Sequence, residues 1–177
     1  DTSGSMAWNT YNNSTAHNPS NSRLGIAKEA AKNFIGDFDG TNTRIVIVPF
    51  STDVDGISGF LDMKEPGSLG TLSSYIDNLN AVGSTNIGDA IRVANHTLKS
   101  SGDPSVKKHI VVLTDGEPTA YSYNRHESYG SSDYFYTGAG ILPVSGARAG
   151  TGDGYNRGME YCLEMGAVVN GQNTDPD

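Results

Sequence analysis

A chain of 177 residues with 36% hydrophobic content and 22 glycines is one domain's worth of polypeptide, long enough to bury a core and rich in turns. Its formal charge of -8, with lysines and arginines scattered rather than clustered, argues against non-specific binding to nucleic acid or to an anionic membrane, both of which need a basic patch. A single cysteine, Cys162, excludes an internal disulfide and supplies no zinc or redox motif, and no apolar run is long enough to span a membrane or act as a signal peptide.

The chain opens on Asp1-Thr2-Ser3-Gly4-Ser5, which sets one carboxylate and two hydroxyls on a single tight loop. Such a set suits a hard cation that prefers oxygen ligands, although these are also ordinary turn residues. Ala7 to Ser20 is an Asn-rich polar loop, and from Ser22 the residues Leu24, Ala27, Ala31, Phe34 and Ile35 recur at helical spacing. Arg44 to Val48 is a run of β-branched residues, as expected of a strand covered on both faces, and Pro49-Phe50-Ser51 ends it. Asp53 to Gly70 reads as irregular; its Asp-Val-Asp-Gly, like Asp37-Phe38-Asp39-Gly40, brings glycine too early for an EF-hand loop.

Leu72, Tyr75, Ile76 and Leu79 mark a short helix leading to the turn Gly83-Ser84-Thr85. Ile87, Ala90, Ile91, Ala94 and Leu98 form the apolar stripe of the next helix, and Lys107 to Thr114 reads as a second buried strand ending on Asp115-Gly116-Glu117-Pro118. In an open parallel sheet ligands bind at the carboxyl ends of strands, which is where Asp115 falls. Residues 117–157 then read as a long polar insertion carrying Tyr121, Tyr123, Tyr129, Tyr134, Phe135 and Tyr136, rooted beside Asp115. A short helix near Met159 to Met165 closes the pattern and holds Cys162 among its apolar positions.

The three segments at Asp1–Ser5, Gly83–Ile91 and Ile110–Pro118 together resemble the von Willebrand factor type A family, whose metal-ion-dependent adhesion site combines Asp-x-Ser-x-Ser, a distant Thr and a more distant Asp. The resemblance implies that Ser3, Ser5 and Thr85 offer hydroxyls to a Mg2+ ion, which Mn2+ can replace, while Asp1 and Asp115 act directly or through water. One position would stay open for a carboxylate of a protein or matrix ligand. It implies an α/β, doubly wound, mainly parallel sheet flanked by helices, with residues 1–177 as one partial domain lacking the strand before Asp1 and the last strands after the final helix. Were Asp1 a natural N-terminus, its ammonium would sit beside the cation and repel it, which favours a truncation boundary there; an apolar slot is then expected where strands are missing.

No catalytic apparatus accompanies the site. His17, His96, His109 and His126 have no metal-ligand spacing, and there is no nucleophile elbow, Walker loop or dinucleotide fingerprint. The expected function is therefore cation-dependent binding without catalysis, in a module similar to those of bacterial pilus-assembly and surface proteins, outside the cell. Tyr121, Tyr123, Tyr129, Tyr134 and Tyr136 are expected to set ligand specificity, since tyrosine gives large contact area at low entropic cost. The rival expectation is an intracellular type A module that assembles with an ATPase partner.

Overall fold

A computed structural model describes residues 1–54, 56–101, 104–125, 134–136, 146–149 and 153–170. The fold is α/β: four helices, α1 (Arg23–Gly36), α2 (Ser68–Asp77), α3 (Ile87–Ser100) and α4 (Asp153–Val169), surround extended segments and two small sheets. Local chemistry sets the helix starts. Ser22 caps α1 by accepting the Gly25 N–H at 3.0 Å, and Asn86 caps α3 by accepting the Asp89 N–H at 3.0 Å. The 7–22 loop is tied down by bridges Trp8 to Thr15 and Asn9 to Ser22 and by a short 3-10 turn at Pro19–Asn21.

Among the described residues the paired strands are antiparallel. β1 (Arg44–Ile45) pairs antiparallel with β2 (Leu61–Asp62), and residues 107–114 form no ladder at all. Residues 46–50 run extended towards the same edge as 107–114, but an apolar slot of about 210 Å³ separates them, bounded by Val46, Val48, Ile110 and Val112 with helix residues such as Leu24 and Leu98. Two segments held apart in this way cannot exchange backbone hydrogen bonds, which explains why neither registers as part of a shared sheet. Val111, Val112 and Leu113 remain exposed beside the slot.

A correction concerns residues 117–157. Where the sequence reads as a long polar insertion carrying aromatics, the described residues form an antiparallel sheet in the order β4-β3-β5, from Ala120–Arg125 (β3), Tyr134–Tyr136 (β4) and Gly146–Ala149 (β5), and α4 begins at Asp153, earlier than expected. The alternation Ala-Tyr-Ser-Tyr-Asn in β3 carries a period-two signal that its polar content conceals. Irregularity between Asp53 and Gly70 is likewise interrupted by β2 and by the start of α2.

Three apolar clusters hold these parts together. Ile35, Met63, Leu72 and Ile76 join α1, α2 and the β2 hairpin; Phe50, Ile87 and Ala90 seat α3 under the first extended segment, with Cys162 beside them. Burial pushes the Cys162 thiol up, consistent with a packing residue rather than a nucleophile. Tyr121, Tyr161, Met165 and Val168 bind α4 to β3. At the α3–α4 contact Gly88 is required sterically, because a Cβ there would stand 2.3 Å from the Tyr161 ring. Phe34, expected on the buried face of α1, is instead half exposed and packs edge-on against Phe38.

Beneath α3 lies a buried polar network. Arg92 donates to Asp89 Oδ1 from Nε at 2.8 Å and from Nη2 at 2.6 Å, both side chains are 2% exposed, and Asp89 Oδ2 accepts the Val54 N–H at 3.1 Å. Tyr161 joins this network through Arg92 and Ser122, and burial raises its phenol well above the usual range. Removing one partner of such a pair strands a charge in low dielectric. Asp89→Ala should therefore cost about 3–5 kcal/mol in chemical denaturation, whereas Asp89→Leu combined with Arg92→Met should cost less than the single alanine change.

Candidate metal centre

The carboxyl ends of the two extended segments meet the first residues of the chain. The Asp1 amine donates to Leu113 O at 2.9 Å, the Thr2 N–H to Phe50 O at 2.7 Å, and the Val82 N–H to Thr2 O at 2.7 Å. The Gly4 N–H donates to Gly83 O at 2.8 Å, so the Asp1–Ser5 loop and the Thr85 loop touch backbone to backbone. Gly83 makes that approach possible: its φ is +78°, and a Cβ there would lie 2.7 Å from Thr52 Oγ1.

Four of the five expected ligands form one connected cluster. Ser3 Oγ and Ser5 Oγ are 3.2 Å apart, Ser5 Oγ donates to Asp115 Oδ1 at 3.0 Å, and Asp1 Oδ1 accepts the Ser3 N–H at 2.8 Å. The fifth, Thr85, is buried on the adjoining loop, two residues from the Gly4–Gly83 contact. Oxygens around a Mg2+ ion at ~2.1 Å stand about 3.0 Å apart along the edges of an octahedron. The Ser3–Ser5 and Ser5–Asp115 separations, which are hydrogen-bond distances, are close to that spacing, so these three oxygens are compatible with neighbouring positions around such a cation. Among the described residues no three His, Cys, Asp or Glu side chains come together, and the donors are mostly neutral hydroxyls.

Three residues that the motif does not announce hold the cluster in place. Thr114 Oγ1 donates to Asp1 Oδ2 at 2.6 Å. Arg23, the first residue of α1, donates from Nη1 to Asp115 Oδ2 at 2.6 Å. Thr119 clamps the Thr85 backbone from both sides: its Oγ1 accepts the Thr85 N–H at 2.9 Å and its own N–H donates to Thr85 O at 2.8 Å, with Ala120 adding a second donor at 3.0 Å. Thr114 could have been suspected from its place beside Asp115; Arg23 and Thr119 carry no local signal.

The tyrosines divide. Tyr121 is 4% exposed and packs with Tyr161, Met165 and Val168, so burial takes it out of the proposed specificity surface and makes it core. Tyr123 and Tyr136 are register partners across β3 and β4, Tyr134 stands opposite Arg125, and Tyr129 lies outside the described residues. The segment is rooted at the centre nonetheless: Asn86, which follows Thr85, donates to Ser122 Oγ at 3.1 Å and to Thr52 O at 2.9 Å.

Residues 1–117 match the von Willebrand factor type A domain family. Among solved structures, the chain is similar to the PilB minor pilin from Streptococcus sanguinis, at TM-score 0.74 and 24% identity, and to its D319A mutant, at TM-score 0.79 and 24% identity. Each match covers 96% of this chain but 45% of the pilin, so the chain spans less than half of that protein's length. No curated protein matches the chain.

The clamp on Thr85 yields a prediction that separates positioning from bulk stability. Thr119→Val removes the acceptor for the Thr85 N–H and should weaken Mn2+ binding by about threefold to tenfold, the worth of roughly one hydrogen bond. Thr119→Ser should restore it. Calorimetric Mn2+ titration of the folded variants checks both outcomes.

Proposed function

We propose that this chain, which belongs to the von Willebrand factor type A family, binds a protein or matrix ligand through a divalent cation held by Asp1, Ser3, Ser5, Thr85 and Asp115. The observation that carries the reading is the oxygen spacing along Ser3, Ser5 and Asp115, at 3.2 and 3.0 Å, on an edge where the loops converge. Mg2+ is the natural occupant and Mn2+ its substitute, since both accept octahedral oxygen coordination; Ca2+ wants more ligands than this loop supplies. When bound, the cation supplies an electrophilic position that a partner's carboxylate can fill.

The chain's own residues supply the rest. Asp1 and Asp115 balance the divalent charge without exceeding it, and the hydroxyls of Ser3, Ser5 and Thr85 add oxygens without adding charge. Side-chain hydrogen bonds in the cluster join the hydroxyls of Ser3, Ser5 and Thr114, the two carboxylates and the Arg23 guanidinium, and the reading is of binding rather than catalysis. Likeness in fold to a pilin, together with the tyrosine-rich sheet rooted at the centre, favours a role as an adhesive or pilus-associated module on a bacterial surface. No helix among the described residues is long and apolar enough to cross a membrane.

Thr85→Ala removes a neutral donor and Asp115→Ala removes a donor and a balancing charge, so the second should reduce Mg2+ affinity more than the first. Both variants, and chelator, should reduce ligand capture by the full-length protein, while Mn2+ should restore capture after chelation better than Ca2+ does. Undiminished capture in chelator would overturn the reading.

A further inference from the structure

Arg23 is the one guanidinium set against the proposed centre among the described residues, and the adhesion-site motif does not include it. Its Nη1 lies 2.6 Å from Asp115 Oδ2, on the side of the carboxylate away from Oδ1, which faces Ser5. Two further contacts hold it there independently of Asp115: Nη2 donates to Asn13 Oδ1 at 2.9 Å, and the guanidinium carbon lies 5.5 Å from the Trp8 ring centroid, within cation–π range. The Arg23 N–H also donates to Trp8 O at 2.9 Å, fixing the root of the side chain. The side chain is 23% exposed and that of Asp115 is 10% exposed, so the pair sits at the rim with its carboxylate turned inward.

We infer that Arg23 is a specificity-determining residue of the site, weakening its hold on the cation while strengthening its preference for an anionic, carboxylate-bearing ligand. The inference rests on the proposed metal reading. Two carboxylates neutralise one divalent cation; a fixed guanidinium leaves one positive charge over. Arg23 draws electron density from the Asp115 carboxylate and repels the cation directly, and both effects lower metal affinity. Ser5 holds Asp115 through the other oxygen, so loss of Arg23 does not release the carboxylate from its orientation. Outer-shell partners commonly raise metal affinity by orienting a ligand, but Ser5 already supplies that orientation here, so the charge of Arg23 is the effect that its removal exposes. Because Asn13 and Trp8 retain the guanidinium at the rim, it remains available to an incoming anion as a planar donor.

The test compares full-length wild-type protein with Arg23→Gln and Arg23→Lys. Mn2+ alone is titrated by electron paramagnetic resonance, and acetate is then titrated into the Mn2+-loaded proteins by water-proton relaxation. Arg23→Gln should bind Mn2+ about tenfold more tightly and acetate about tenfold more weakly, opposite signs that a merely structural role would not produce. Arg23→Lys, which keeps the charge, should stay near wild type in Mn2+ affinity. Should the glutamine variant fail to fold, Arg23→Met, which keeps the aliphatic stem over Trp8, is read in the same way. Wild-type Mn2+ binding with unchanged or weaker binding in the neutral variant overturns the inference alone. Absence of wild-type Mn2+ binding overturns the metal reading and this inference with it.

Discussion

Everything at the candidate centre depends on the backbone of residues 1–4 being pinned between three other stretches of chain. Leu113 O, Phe50 O and Gly83 O accept from Asp1, Thr2 and Gly4 in turn, and Thr2 O accepts from Val82. Serine and threonine hydroxyls are weak neutral donors of electron density, and they make a cation site only when held at coordination spacing before the ion arrives. Backbone hydrogen bonds achieve this where apolar packing cannot, because Met6 is the loop's one buried apolar side chain, beside the buried Thr2 and Ser3. The glycine at 83 follows from the same demand, since only a residue without Cβ lets the second loop come against Thr52.

Electrostatics adds a second layer. The carboxylates of Asp1 and Asp115 are each satisfied on two sides, Asp1 by the Ser3 N–H and Thr114, Asp115 by Ser5 and Arg23. Partnered carboxylates stay oriented. Farther in, the Asp89–Arg92 pair, Asn86, Ser122 and Tyr161 link the Thr85 turn to α4 and to the sheet carrying the tyrosines. The polar segment after Asp115 is thereby part of the site's framework: its first residues, Thr119 and Ala120, support Thr85 directly. Three hydrogen bonds join the start of that segment to the Thr85 backbone.

The helices were legible in the sequence because they rest on short-range rules. Ser22 and Asn86 announce helix starts as caps and Leu72 and Ile76 lie a helical turn apart, while Asp1, Ser3, Ser5, Thr85 and Asp115 were singled out together by the resemblance of three ordered motifs to the family. What escaped notice depends on long-range geometry. The apolar runs at 45–48 and 109–113 have the composition of strands, yet pairing requires a neighbour within hydrogen-bond reach, and the slot between them denies it. Tyr121 has the appearance of a binding-loop tyrosine until α4 is seen to cover it. Arg23 and Thr119 act across 92 and 34 residues of chain, separations at which no local pattern marks a partner.

The most direct test of the account is the location of the ion itself. In crystals of the full-length protein soaked in Mn2+, anomalous difference density should peak between Ser3 Oγ, Ser5 Oγ and Asp115 Oδ1, at about 2.1–2.2 Å from both serine hydroxyls. It should vanish from that position in Ser3→Ala combined with Ser5→Ala. A Mn2+ peak elsewhere on the molecule, or one that persists when both hydroxyls are gone, would contradict the assignment of this loop as the cation-holding edge.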